Sequence, residues 1–131
     1  MFTPPNRSLQ LQLALRQLHQ AVPECQTVLL VNSDGLLLAA YPPTTAEDDL
    51  NGGEAVAAMA SVLLRLAMQT TEHLAQGVAQ RVLVQAPAGI LAVFPVGVDS
   101  CLALRLAPDA KVGLALQLAQ QATTRLTSLV A

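Results

Sequence analysis

Residues 51–76 read as one helix with almost no solvent face. At about 100° per residue, Glu54, Ser61, Arg65 and Glu72 fall on a single narrow polar stripe. Most of the remaining circumference carries Val56, Met59, Ala60, Val62, Leu63, Leu64, Leu66, Ala67 and Leu74. A surface helix of a small domain buries roughly a third of its girth, so this one needs two covers. One is the protein's own sheet, and the other is a second copy of the chain. Val62 and Leu66 lie on one flank of the helix, and Ala57, Leu64 and Met68 on the other. Periodicity alone leaves open which flank meets the second copy.

Composition points the same way. The chain has 131 residues, the length of one domain (1–131), with residues 1–7 expected as a flexible tail. Hydrophobic residues make up 53% and charged residues 12%, against roughly 25% charged in typical soluble domains. So little charge leaves a poor surface for a monomer. The net charge is -2, no Lys/Arg cluster occurs, and Phe2, Tyr41 and Phe94 are the aromatics, so there is no footprint for nucleic acid. No run reaches the ~20 apolar residues of a membrane span, because Arg65, Pro87, Gly89 and Pro95 interrupt the longest candidates. Residues 1–8 hold prolines and an arginine without an apolar core, unlike a signal peptide, so a cytoplasmic protein is expected. Cys25 and Cys101 lack metal-ligand spacing and read as free, reduced thiols.

Ser8 offers an N-cap for a first helix ending near Ala21, with Leu11, Leu15, Leu18 and Val22 on one face and Ala14 and Ala21 beside them. Leu9, Leu11, Leu13 and Leu15 also alternate as in a strand. Leucine, glutamine and alanine are helix formers, however, and no β-branched residue appears among them. Pro23 ends the helix. Residues 27–32 and 36–40 read as strands joined by a Ser33-Asp34-Gly35 turn. Residues 41–50, with two prolines and Glu47-Asp48-Asp49, read as an exposed acidic loop. Asn51 is placed to cap the central helix and Gly77 to stop it.

Residues 78–86, 90–96 and 100–106 follow so closely that only antiparallel hairpins fit. Pro108 and Asp109 open the last helix, whose stripe is Val112, Leu116, Ala119, Thr123, Leu126 and Val130. The predicted order α-β-β-α-β-β-β-α makes an α/β sandwich.

That order, with these segments, resembles the Roadblock/dynein light chain family. The resemblance spans residues 8–129. It rests on the Leu-rich first helix ending in Val-Pro, the hairpin VLLVNSDGLLLAA, the helix EAVAAMASVLLRLA, the strand pair VLVQAPAGILAVFPVG, and PDAKVGLALQLAQQA before the last helix. It implies a three-layer sandwich: a five-stranded antiparallel sheet, the central helix on one face and the terminal helices on the other. Family members typically dimerise by joining the edge strands that follow the central helices, with those helices packing together. Prokaryotic members are associated with Ras-like GTPases. The expected dimer surface here is Ala57, Val62, Leu64, Leu66, Met68, Val82 and Val84.

Nothing in the chain competes as chemistry. His19, Cys25 and His73 are the candidate nucleophile–base set, with His19 about two turns before Cys25. Neither a third orienting group nor an oxyanion-type turn accompanies them. His19 reads as solvated or capping a helix end, and His73 as a polar flank of the central helix. Gly52-Gly53 before a helix invites an anion, yet Gly-Lys-Ser/Thr is missing and Glu47, Asp48 and Asp49 would repel phosphate. The same acidic trio lacks EF-hand spacing. No catalytic, cofactor-binding or metal residue is therefore assigned.

Leu9 and Leu13 lie opposite the core stripe of the first helix, and Leu114 and Leu118 off the stripe of the last. On two helices sharing one face they form a candidate docking patch, the alternative being burial between the helices. The function expected from the resemblance is a non-enzymatic homodimeric regulator or scaffold of a small Ras-like GTPase. The alternative is a structural adaptor subunit without GTPase contact. A ligand sensor is disfavoured by the uniformly aliphatic inner positions.

Overall fold

The computed structural model describes residues 6–43 and 53–130. The acidic trio at 47–49, Gly52 and the Asn51 cap lie outside the described residues. Helix α1 (Arg7–Ala21) starts within the expected tail, because Asn6 rather than Ser8 is its cap. The Asn6 side chain accepts the Leu9 N–H at 2.8 Å. Leu11, Ala14, Leu15 and Leu18 form the buried stripe, while Ala21 is exposed.

Strands β1 (Cys25–Asn32) and β2 (Leu37–Tyr41) form the expected hairpin. Asn32 organises its turn: its side-chain oxygen accepts the N–H groups of Asp34 and Leu36, each at 3.0 Å. Gly35 has φ +79°, and a Cβ there would sit 3.4 Å from the Ala58 Cα on the central helix. Glycine is thus favoured by its left-handed conformation, while a Cβ would meet the helix only at ordinary contact distance.

Helix α2 (Gly53–His73) ends earlier than expected. The left-handed residue is Ala75 (φ 57°), and the Gln76 N–H closes back onto the Thr71 carbonyl at 2.8 Å. This bond satisfies an orphan helix-end carbonyl before Gly77 is reached. Strand β3 (Val82–Ala86) is also shorter than expected. It pairs with β4 (Gly89–Val96) from Ala86↔Gly89 to Val82↔Val93. Two steps further the partner would be Pro95, which has no N–H to give, so residues 78–81 stay outside the ladder.

Strand β5 (Ser100–Leu106) and helix α3 (Val112–Val130) complete the chain. The expected start of α3 at Pro108 shifts to Val112. The Ala107 N–H is held by the Glu24 carbonyl at 2.9 Å and Ala110 turns back onto Ala107, which occupies residues 107–110 with a turn.

The sheet is antiparallel throughout, in the order β2-β1-β5-β4-β3. Side-chain alternation gives it two cores. Val28, Leu30, Phe94, Leu102, Leu104 and Leu106 pack with α1 and α3. Leu29, Val31, Val93, Cys101 and Ala103 pack with α2 through Val56, Ala57, Ala60 and Leu64. The result is the three-layer α/β sandwich, helix over sheet over two helices, in the order α-β-β-α-β-β-β-α.

Candidate interaction surface

The central helix resolves into distinct faces. Ala57 (0% exposed) and Leu64 (9%) belong to the core under α2, and Met68 packs against the edge of that core. Ala57 and Leu64 therefore drop out of any surface that could meet a second chain, because the protomer's own sheet already covers them. The opposite flank stays bare: Met59 is 54%, Val62 56% and Leu66 59% exposed. Their spacing of three and four residues makes one continuous apolar stripe. Ser61, expected on the polar stripe, is buried, and its hydroxyl donates to the Ser33 carbonyl at 3.4 Å.

The bare stripe borders β3. Two grooves run along α2 on that side. One, of about 630 Å³, is lined by Leu63, Leu66, Ala67 and Val82 among others. The second, of about 480 Å³, includes Val56, Met59, Leu63 and Val84. Val82 packs partly against the core under α2, whereas Val84 is exposed. Strand β3 is an edge: among the described residues no further strand pairs with its outer side, and its register against β4 has no irregularity. An even, uncharged strand edge beside a bare apolar helix is a surface that proteins normally cover.

The other edge, β2, is blunted. Its register against β1 shifts between Leu30 and Val31, leaving Leu38 as an extra, bulged residue. The Gln12 amide on α1 donates to the Ala40 carbonyl at 2.7 Å. Pro42 and Pro43 follow directly.

On the terminal-helix face, Leu9, Leu13 and Leu114 are exposed, while Leu118 is half-buried against the core. The helices run in opposite directions. Helix α1 ends beside Cys25, which pairs with Leu106 just before α3 begins. The far end of α3 is tied to the other end of the sheet by Thr127, whose hydroxyl accepts the Gly97 N–H at 3.2 Å. The Arg125 guanidinium donates to the Gln17 side chain across the helix pair. Leu9 and Leu13 thus lie on one side of this contact and Leu114 and Leu118 on the other. At 1.5 Å per residue, Leu9 and Leu114 are on the order of 20 Å apart, so the four leucines do not form a single patch.

Catalytic readings gain nothing from the geometry. The Cys25 Sγ lies 3.6 Å from the Thr27 carbonyl, and burial pushes its thiol up to about 11, the reverse of an activated nucleophile. His19 faces the Gln26 carbonyl at 3.3 Å and meets Tyr41 edge-on at 5.1 Å. No group of three metal-ligating side chains occurs among the described residues. A cavity of about 180 Å³ beside Ser61 and Arg65 is smaller than the roughly 300–1,000 Å³ of ordinary ligand pockets. No helix among the described residues is long and apolar enough to cross a membrane.

Cys25 and Cys101 are both free. Their register partners, Leu106 and Val31, lie at opposite ends of the β1–β5 ladder, far beyond disulfide reach. Burial pushes the Cys101 thiol up to about 11 as well. Both thiols are thus more acidic in the unfolded chain, where thiols ionise near 9. Their contribution to stability is present in full below about pH 9 and lost as pH rises through 11. Urea midpoints measured across this window should fall with rising pH, and less steeply in a C25S/C101S variant.

Comparison with known proteins fits this geometry. The family model described as the Roadblock/LC7 domain matches residues 11–105. A search of curated proteins returned no significant match. Among solved structures, a Roadblock/LC7 domain from Streptomyces avermitilis shares 22% identity at a TM-score of 0.76, covering 92% of this chain and 98% of that one. MglB of Myxococcus xanthus superposes at 0.81 with 12% identity, covering 99% and 94%. The gliding protein MglB of Thermus thermophilus gives 0.76 with 16% identity, covering 98% and 93%. The chain belongs to the Roadblock/LC7 family.

Proposed function

We propose that the protein is a non-enzymatic homodimer that regulates or scaffolds a small Ras-like GTPase. The observation that carries the dimer is that Met59 and Leu66, at the two ends of the bare stripe through Val62, line grooves shared with Val84 and Val82 on the open edge strand β3. Two copies join their β3 edges antiparallel, extending the sheet across the pair. Each α2 then lays its exposed flank against its counterpart. Val82 and Val84 sit beneath this contact, while Met68 lies on the other flank of α2 against the core and takes no part in it. The blunted β2 edge supports the choice of β3.

The GTPase partner follows from family membership. Likeness to the MglB proteins supports the prokaryotic branch of the family, and with it a cytoplasmic setting. A dimer built on α2 and β3 leaves α1 and α3 free on the far side of the sheet. The GTPase docks there across both helices, meeting Leu9 and Leu13 at one end of the face and Leu114 at the other, with the half-buried Leu118 beside Leu114. Any acceleration of hydrolysis arises by ordering the GTPase's own catalytic groups, since no residue among those described is poised for phosphoryl chemistry.

The test is a pull-down from the native cytosol with the tagged full chain, in GDP and in a non-hydrolysable GTP analogue. Retention of a Ras-like GTPase, with fewer GTPases than protomers, is expected. Leu13→Glu should reduce that retention and leave the dimer intact. Retention of other proteins but no GTPase in either nucleotide state would favour the structural adaptor instead.

A further inference from the structure

The charges of the terminal helices carry an inference about what meets them. Neither α1 nor α3 contains an aspartate or glutamate, so all nine acidic side chains of the protein lie outside these two helices. Arg7, Arg16 and Arg125 make this layer cationic in a chain whose net charge is -2. Leu9, Leu13, Arg16 and Gln20 are exposed and recur every three or four residues, so they form one outward ridge of α1. Leu114, Gln117, Gln121 and Arg125 form the corresponding ridge of α3. The Arg125 guanidinium is held by Gln17, the residue after Arg16, so the two cations stand in the same part of the face, between its leucine ends. A neutral amide fixes Arg125 in place without cancelling its charge.

We infer that the GTPase surface docking on this face is acidic at its centre, presenting carboxylates to Arg16 and Arg125 and apolar contacts to the leucines at either end. The inference rests on the GTPase reading above and adds to it the chemistry of the surface that binds. Charge complementarity selects the partner: exposed cations on helices free of carboxylates favour an anionic surface and disfavour a basic one. Their pull reaches about a Debye length into solvent, so it speeds encounter more than it deepens affinity. An anionic bilayer is the competing occupant, and it fits worse. A helix lying on a bilayer buries a continuous apolar face. The apolar stripes of α1 and α3 are occupied by the core, and their outward leucines are parted by arginine and glutamine. A folded protein can meet that mixed centre with carboxylates and hydrogen-bonding groups. In the proposed dimer two such centres face the same way.

The test uses the GTPase retained by the full chain, purified, with its association rate followed by surface plasmon resonance from about 50 to about 500 mM salt. The rate is expected to fall about ten-fold across that range. At the lower salt, Arg16→Glu should slow association roughly five-fold with native far-UV circular dichroism, and Arg16→Gln should slow it less. Replacing a carboxylate of the docking GTPase surface by lysine should restore binding to Arg16→Glu and weaken it for the unmodified chain. A GTPase that associates equally fast at both salts, and equally with Arg16→Glu, overturns the inference and leaves the GTPase reading standing. Failure of every such carboxylate replacement to rescue Arg16→Glu overturns it as well. Absence of any retained GTPase removes both. Cosedimentation with vesicles of phosphatidylcholine and phosphatidylglycerol that is lost in Arg16→Glu, beside GTPase association indifferent to salt, would assign the face to a membrane instead.

Discussion

Val62→Glu is expected to give a folded monomer, whereas Leu64→Glu, two residues along the same helix, is expected to give no stable fold. The difference lies in what each side chain touches. Val62 is 56% exposed in the single protomer, so a glutamate there stays hydrated until a second copy arrives. In the proposed dimer it becomes a desolvated, unpaired charge, costing on the order of 3–5 kcal/mol. Leu64 sits in the core beneath α2 with Leu29, Val93 and Ala103. A carboxylate there forfeits leucine burial and carries its desolvation cost into the protomer itself. Sedimentation velocity with far-UV circular dichroism separates the two results. A dimeric Val62→Glu protein would remove this flank of α2 from the contact, and a normally folded Leu64→Glu protein would refute the packing described.

Phe94→Ala is expected to lower unfolding stability by about 3–5 kcal/mol, a large part of the roughly 5–15 kcal/mol that holds such a domain together. Phe94 is fully buried in β4, and it packs in the core shared by α1, α3 and the sheet. Its removal leaves a cavity walled on one side by rigid β-sheet, which collapses poorly. Urea unfolding at a fixed protein concentration measures the loss, because association also contributes to apparent stability. Val78→Ala is the control: this side chain is exposed and should shift the midpoint very little. A loss below about 1 kcal/mol for Phe94→Ala would contradict the assigned core.

Element order and sheet type were legible in the sequence because each rests on local signals. The apolar stripe of α1, the Ser33-Asp34-Gly35 turn and the short spacing of β3, β4 and β5 all act within a few residues. What escaped depends on partners distant in the chain. Residues 78–81 look strand-like, but whether they pair is decided by Pro95 across the ladder. Ser61 looks like a polar surface residue until the Ser33 carbonyl is found above it.

The choice of flank on α2 was illegible for a related reason. A helix apolar nearly all round carries no internal mark of which side faces its own sheet. Only the position of β3 beside Met59 and Leu66 distinguishes them. The docking leucines repeat the lesson, since their spacing along each helix says nothing of the opposite directions in which α1 and α3 run. Gln12 had no signal at all, being one glutamine among several in α1 whose acceptor lies 28 residues away.

The central claim is that this chain pairs with itself through β3 and α2, and sedimentation equilibrium on the unmodified full chain tests it most directly. The expected result is a species of twice the 13.7 kDa protomer, dissociating only at low concentration. A mass of 13.7 kDa that does not change with concentration would contradict it.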